Sequence, residues 1–203
     1  MRKGAHRAES ISEVVEIASA IRNEWHGEDD DPWGPWFRGQ QRTNWGLSPK
    51  LYRDYGECRD LQKIEDEIRE EFTQRAPILS ETPLRCGSWE WYFLMQHFGA
   101  PTRLLDWTEG ALIALYFAVR DNPGHYDAAV WILDPYELNK QVIGREVVIP
   151  PSESSVAEPD RKLVAPWLPD RQGRKKKAPY CGVSVAHGAT DQYPAFLFHD
   201  PRN

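Results

Sequence analysis

Apolar residues near the start of the chain recur at helical spacing. Ile11, Val14, Val15, Ala18, Ile21 and Trp25 share one stripe, which predicts an amphipathic helix. Ser10, with Glu13 three residues later, forms a capping box that opens it. Trp36-Phe37 before Arg38-Gly39-Gln40 suits a short strand ending in a polar turn. A second stripe, Leu61, Ile64, Ile68 and Phe72, predicts a helix from Asp60 to Arg75, with Glu65 and Arg69 as an i,i+4 ion pair and Pro77 beyond its end. Ser88 then caps a helix from Trp89 to Phe98, apolar nearly all round, which Gly99 closes and Pro101 prevents from continuing. Ala111 to Val119 has no charge and no polar face, the pattern of a helix buried on every side.

Strand signals follow. Asp127 to Asp134 is a continuous apolar run suited to a central strand. Pro135 to Leu138 reads as a helical turn and Val142 to Ile149 as a strand. Tyr180 to Ala186 and Ala195 to His199 read as two final strands. Pro150 to Lys177, rich in Pro, Ser, Arg and Lys, reads as a long loop. The pattern predicts an α+β fold, a single domain over residues 10–203 with N-terminal helices and a mixed or antiparallel sheet around a central pocket. Residues 1–9 are charged and are expected to be disordered.

Composition narrows the partners. A net charge of −6 and a pI of 5.6 argue against a nucleic-acid backbone binder, which carries a broad basic face. The Arg171–Lys177 run is a local exception that reads as a solvated loop. No stretch approaches the roughly 18–20 uncharged apolar residues that span a bilayer. Met1-Arg2-Lys3 is followed by no apolar leader core, so a cytoplasmic location without membrane attachment is expected. Cys58, Cys86 and Cys181 form no CxxC pair and read as reduced thiols. Neither the histidines nor the Asp29–Asp31 run has metal-ligand spacing, so no metal is expected. Nucleotide-loop, zinc-protease and serine-hydrolase motifs are missing.

The chemistry gathers between the third and fourth helical segments. His97, Thr102, Arg103, Asp106, Trp107 and Thr108 crowd a short connection, a polar knot at the mouth of an apolar helix. Gln96 and His97 need partners there, because an unpaired buried polar group costs roughly 1–3 kcal/mol. Thr108 is the expected N-cap of the next helix, placing its positive dipole end near Asp106. Arg38, next to Gly39, would leave the core where backbone can be approached closely. Arg38, residues 97–108 and residues 187–199 each put polar groups at the end of an apolar element, as sites tend to. Arg38 and Arg103 could then hold a diphosphate, with His97 or Asp106 as proton acceptor and Gln192 bonded to a hydroxyl. The competing reading makes Arg103–Asp106 an internal ion pair locking the turn and Trp107 a core plug.

Phe37-Arg38-Gly39-Gln40, Trp45-Gly46-Leu47-Ser48-Pro49 with Leu51 and Arg53, Gln96 through Thr108 (QHFGAPTRLLDWT) and Ala114 through Ala118 (ALYFA) together resemble the FRG domain family, named for its Phe-Arg-Gly motif. The resemblance covers most of residues 10–199. The family is widespread in bacteria, and some members are associated with defence against phage. Its motif order is similar to that of ADP-ribosyltransferases, in which a first-strand Arg contacts NAD phosphate or the adjacent ribose, a middle segment shapes the nicotinamide pocket and a late Glu binds a ribose hydroxyl. Carried over, the likeness implies an ADP-ribosyltransferase-like fold and NAD as cofactor, contacted by Arg38, Gly39, Gln40, Thr102, Arg103, Trp107 and Thr108. It implies His97, Asp106 and Gln192 as catalytic groups for ADP-ribosyl transfer or NAD glycohydrolysis. The alternative is a non-catalytic ligand-sensing or protein-interaction module. The chain departs from the pattern in its last motif: Gly188 stands where the family usually has Arg, and no Glu follows Glu158. The family also continues through another helix and strand, which implies a shortened member.

Overall fold

The computed structural model describes residues 4–27, 34–56, 60–76, 89–122, 124, 126–148, 180–183 and 195–198. In chain order the elements are α1 (Ile11–His26), β1 (Trp36–Gln40), α2 (Lys50–Tyr55), α3 (Leu61–Arg75), α4 (Trp89–His97), β2 (Leu104–Trp107), α5 (Ala111–Val119), β3 (Ala129–Leu133), α6 (Pro135–Ile143), β4 (Tyr180–Val183) and β5 (Ala195–Phe198). The fold is α+β. Its contacts gather into two compact units, one holding α1, β1, α5, β3 and α6 and the other α2, α3, α4 and β4, with the division falling inside β2 between Leu105 and Asp106.

In the first unit, the Ser10 hydroxyl accepts from Glu13 N at 3.2 Å and opens α1 as its sequence predicts. The return arm of the box is displaced by one residue, since the Glu13 carboxylate accepts from Glu9 N at 2.6 Å. β1 pairs antiparallel with β3, Trp36 opposite Leu133 and Gln40 opposite Ala129. On its other side Phe37 and Thr108 exchange backbone bonds of 2.7 and 2.9 Å. The middle strand is therefore β1. The apolar run expected at the centre, β3, pairs among the described residues with β1 alone.

Alternation along β1 turns Phe37 and Gly39 to one face and Trp36, Arg38 and Gln40 to the other. Phe37 joins Ala18 of α1 and Ala114 of α5 in a buried cluster, with Ala111, Val130 and Ile132 packed against it. Gly39 is where α5 presses on the strand. A Cβ built there would overlap the Ala114 carbonyl oxygen and lie 2.7 Å from Ala118 N. Small residues thus form the buried side of α5, and the expectation of burial on every side fails. Leu112, Tyr116, Phe117 and Val119 are exposed, while Ala114 and Ala118 are not.

α6 also departs from expectation. Asp134 caps it by accepting from Tyr136 N and Glu137 N, both at 3.0 Å. The helix then runs to Ile143, where left-handed Gly144 (φ 75°) closes it. Val142 and Ile143, read as the start of a strand, are its last residues. Pro135 reads equally well as a turn or as the first residue of a helix, and the cap decides for helix.

In the second unit, α2 follows Pro49 and is too short to show a period. Asp60 caps α3, accepting from Lys63 N at 3.0 Å. α4 ends as predicted on Gly99 (φ 78°), with Ala100 N donating to Met95 O at 2.8 Å and Gly99 N to Gln96 O at 2.9 Å. That pair of bonds is a Schellman motif. Trp91 stands edge-on to Phe72 of α3, ring centroids 6.4 Å apart. Residues 104–107, read as part of a connection, form β2, which belongs to a three-stranded sheet in the order β2-β5-β4. β4 and β5 begin where expected. Ser88, Pro77, the Asp29–Asp31 run, the 150–177 loop and all three cysteine side chains lie outside the described residues.

Gly39→Ala is expected to cost about 1–3 kcal/mol or more, the penalty of forcing volume into a filled core. Gly46→Ala, with nothing within 4 Å of its Cβ, should stay within about 0.5 kcal/mol of wild type. Equilibrium denaturation midpoints of the two variants check both.

Candidate functional site

The polar knot is built mainly inward. Arg103 immediately precedes β2, is 3% exposed, and directs its guanidinium to Glu65 of α3, which is fully buried. Nε donates to Glu65 Oε2 at 2.6 Å, and Nη2 reaches the same oxygen. The Arg103 backbone N donates to Glu65 Oε1 at 3.1 Å, so both carboxylate oxygens are engaged. Nη2 also donates to Gln62 Oε1 at 3.0 Å, and Gln62 passes the network on to Asp66 and, through it, Arg69. Burial alone would lower the Arg103 pKa, but the Glu65 carboxylate beside it outweighs that and raises it, so the group stays charged. Burial, with Glu65 nearby, pushes the Tyr92 phenol up, and it stays neutral.

Two sequence expectations are corrected here. Glu65 does not pair with Arg69 along its helix; Arg69 bonds Asp66 at 3.3 Å instead. Arg103 does not lock the turn through Asp106, whose side chain is exposed. Glu65, Gln62 and Tyr92 were missed as members of the knot. A signal for Glu65 existed: Leu61, Glu65, Ile68 and Phe72 fall at helical spacing on one face, so a carboxylate sits inside an apolar stripe.

Thr102, fully buried, donates its hydroxyl to Gln96 Oε1, and Gln96 Nε2 donates to Leu104 O at 3.4 Å. The Thr102 carbonyl accepts from Leu51 N at 3.2 Å, and Lys50 Nζ donates to Gly99 O at 2.6 Å. Gln96 thus turns into the knot as expected. His97, expected beside it, is exposed, its ring edge-on to Phe98 with centroids 5.2 Å apart.

The first unit holds the remaining candidate residues among those described. Arg38, half-buried on the sheet face away from α5, donates Nη1 to the Asp106 carbonyl at 2.6 Å. Gln40 is buried, accepting from Trp131 Nε1 at 2.6 Å and donating to Gly46 O at 3.1 Å. Both ends of its amide therefore hold the protein's own loop and strand. Thr108 is not the helix cap expected. Gly110 occupies the N-cap position of α5, and the Thr108 hydroxyl accepts from Gly110 N at 3.1 Å. Trp107 is buried, and its Nε1 has no hydrogen-bond partner among the described residues. Arg38 and Arg103 fall in different units, and Gln192 lies outside the described residues. Among the described residues no group of three His, Cys, Asp or Glu side chains could hold a metal ion. No described helix is long and apolar enough to cross a membrane.

Arg38 and Gln40 of the middle strand and Thr102 and Arg103 of the PTRLLDWT segment all hydrogen-bond to other residues of the protein. Residues 34–127 match the family model of the FRG domain, and the chain carries an FRG domain there. No curated protein and no solved structure matches the chain.

Removing Glu65 strands a buried guanidinium, so Glu65→Ala should cost about 3–5 kcal/mol. The apolar pair Glu65→Leu with Arg103→Met should recover much of that loss. Denaturant unfolding of both variants checks this, and a loss below about 1 kcal/mol in Glu65→Ala would contradict the assignment.

Proposed function

We propose that this FRG domain binds an NAD-like nucleotide, with Arg38 as the phosphate-holding group. The observation that carries the reading is the Arg38 guanidinium, fixed at one nitrogen by the Asp106 carbonyl at 2.6 Å. A guanidinium oriented in this way meets a phosphate with less loss of side-chain freedom. The Asp106 carboxylate, carried on the same residue and exposed, supplies an acceptor for a ribose hydroxyl. Arg103 and Thr102, whose polar groups hold α3 and α4, take no part in this scheme.

Two uses share that binding. In one, the domain cleaves or transfers at the nicotinamide ribose, with Asp106 facing the developing oxocarbenium cation. In the other it senses the nucleotide without turnover. An amide at Gln192 stabilises a developing cation less than a carboxylate would, which favours sensing. Defence against phage, with which some family members are associated, is the setting we propose for either use.

Calorimetric titration with NAD and ADP-ribose tests the reading. Wild type is expected to bind, and Arg38→Ala to lose roughly tenfold to a hundredfold in affinity, the size of a charge-assisted hydrogen-bond contribution of about 1.5–3 kcal/mol. Absence of binding by wild type, or unchanged binding by Arg38→Ala, contradicts it. Expression in bacteria separates the two uses: growth arrest that Asp106→Ala abolishes marks turnover, and harmless expression marks sensing.

A further inference from the structure

The loop after β1 and the turn before β3 form an open surface pocket of about 360 Å³ in the first unit, lined by Arg42, Thr43, Asn44, Tyr126 and Asp127. Its size lies within the range of small-molecule sites. The rim is tied together by backbone and amide bonds. Thr43 N donates to Asp127 O at 2.9 Å, and Asn122 Nδ2 donates to Gln41 O at 3.2 Å and to Tyr126 O at 2.8 Å. Trp45 N donates to Arg42 O at 3.2 Å, closing the turn that carries the lining residues.

Arg42 lies over two aromatic rings, its Cζ 4.0 Å from the Tyr126 centroid and 5.7 Å from that of Trp45. Both rings are about half exposed, Tyr126 at 53% and Trp45 at 42%. Stacking of this kind fixes the guanidinium plane and leaves its N–H edge as the recognition surface. Opposite charges therefore share one small cavity. Asp127 disfavours a bare phosphate and Arg42 disfavours a simple cation. A flat, neutral heterocycle with donors on one edge and acceptors on another satisfies both.

We infer that this cavity binds the guanine base of a free nucleoside or nucleotide. Guanine offers O6 and N7 as a pair of acceptors to a guanidinium. Its adjacent N1–H and N2–H groups suit the two oxygens of the Asp127 carboxylate. Adenine and cytosine place a ring acceptor beside their amino group, which would face that carboxylate lone pair to lone pair. Tyr126, which lines the pocket, supplies a ring face for stacking. The chain's net charge of −6 favours a free nucleotide over a polyanionic strand. The site is separate from Arg38 and does not rest on the NAD reading.

The test is calorimetric titration of the full chain with guanosine, guanosine monophosphate, adenosine and a short guanine-bearing oligonucleotide. Guanosine and its monophosphate are expected to bind with similar affinity, and adenosine at least tenfold more weakly. Tyr126→Ala should weaken guanosine binding at least tenfold. Asp127→Asn, which keeps the shape and the backbone bond, should erase the preference over adenosine and decides the matter alone if Tyr126→Ala does not fold. Arg38→Ala should leave guanosine binding intact. Failure of wild type to bind guanosine, equal binding of adenosine, guanosine binding untouched by both cavity variants, its loss in folded Arg38→Ala, or far tighter binding of the oligonucleotide would each overturn the inference.

Discussion

Within the second unit, a buried charge pair constrains its neighbours. Taking Arg103 and Glu65 out of water costs several kcal/mol per ion, and the pair persists because both carboxylate oxygens and the Nε and Nη2 groups of the guanidinium are hydrogen-bonded. Two guanidinium contacts and a backbone N–H converge on one carboxylate, and Gln62 takes a further N–H. Geometry of that quality leaves α3 little freedom relative to the start of β2. The bonds from Thr102 to Gln96, Leu51 to Thr102 and Lys50 to Gly99 follow once that segment is held. The specificity of the PTRLLDWT string is therefore first a requirement of folding.

The first unit depends on a different constraint, the absence of a side chain at Gly39. With Ala114 and Ala118 facing it, α5 comes so close to β1 that even one methyl group would meet backbone. This places small residues inward and turns Leu112, Tyr116, Phe117 and Val119 outward. The glycine of the Phe-Arg-Gly motif thus sets the spacing of helix and strand, and the alternation of the strand turns Arg38 to the opposite face.

Local chemistry was legible in the sequence, and non-local pairing was not. Ser10, Asp60 and Gly99 announce helix ends because a cap is satisfied within a few residues of itself. The strand at Trp36–Gln40 was readable from its aromatic start. β2 was missed because four residues, one of them exposed and charged, show no period, and its sheet partner β5 lies far along the chain. The Glu65–Arg103 pair spans 38 residues, and a nearer i,i+4 partner concealed it. In α5 an apolar composition was mistaken for burial, though Ala114 and Ala118 are buried while Leu112, Tyr116, Phe117 and Val119 are exposed. Among the candidate site residues, the bond from Arg38 to the Asp106 carbonyl spans 68 residues and has no sequence signal, while Arg103, Thr102 and Gln40, residue types that also suit a phosphate site, bond to other residues of the protein.

The central claim is that Arg103 holds the fold and Arg38 holds the ligand. NAD affinity of the Glu65→Leu/Arg103→Met double variant, measured on protein shown to be folded by circular dichroism, tests it most directly. Affinity within about threefold of wild type is the predicted result, since 0.6 kcal/mol, about RT at room temperature, is all that a purely structural exchange should transmit. A folded double variant that has lost NAD binding, beside a wild type that binds, would contradict the account.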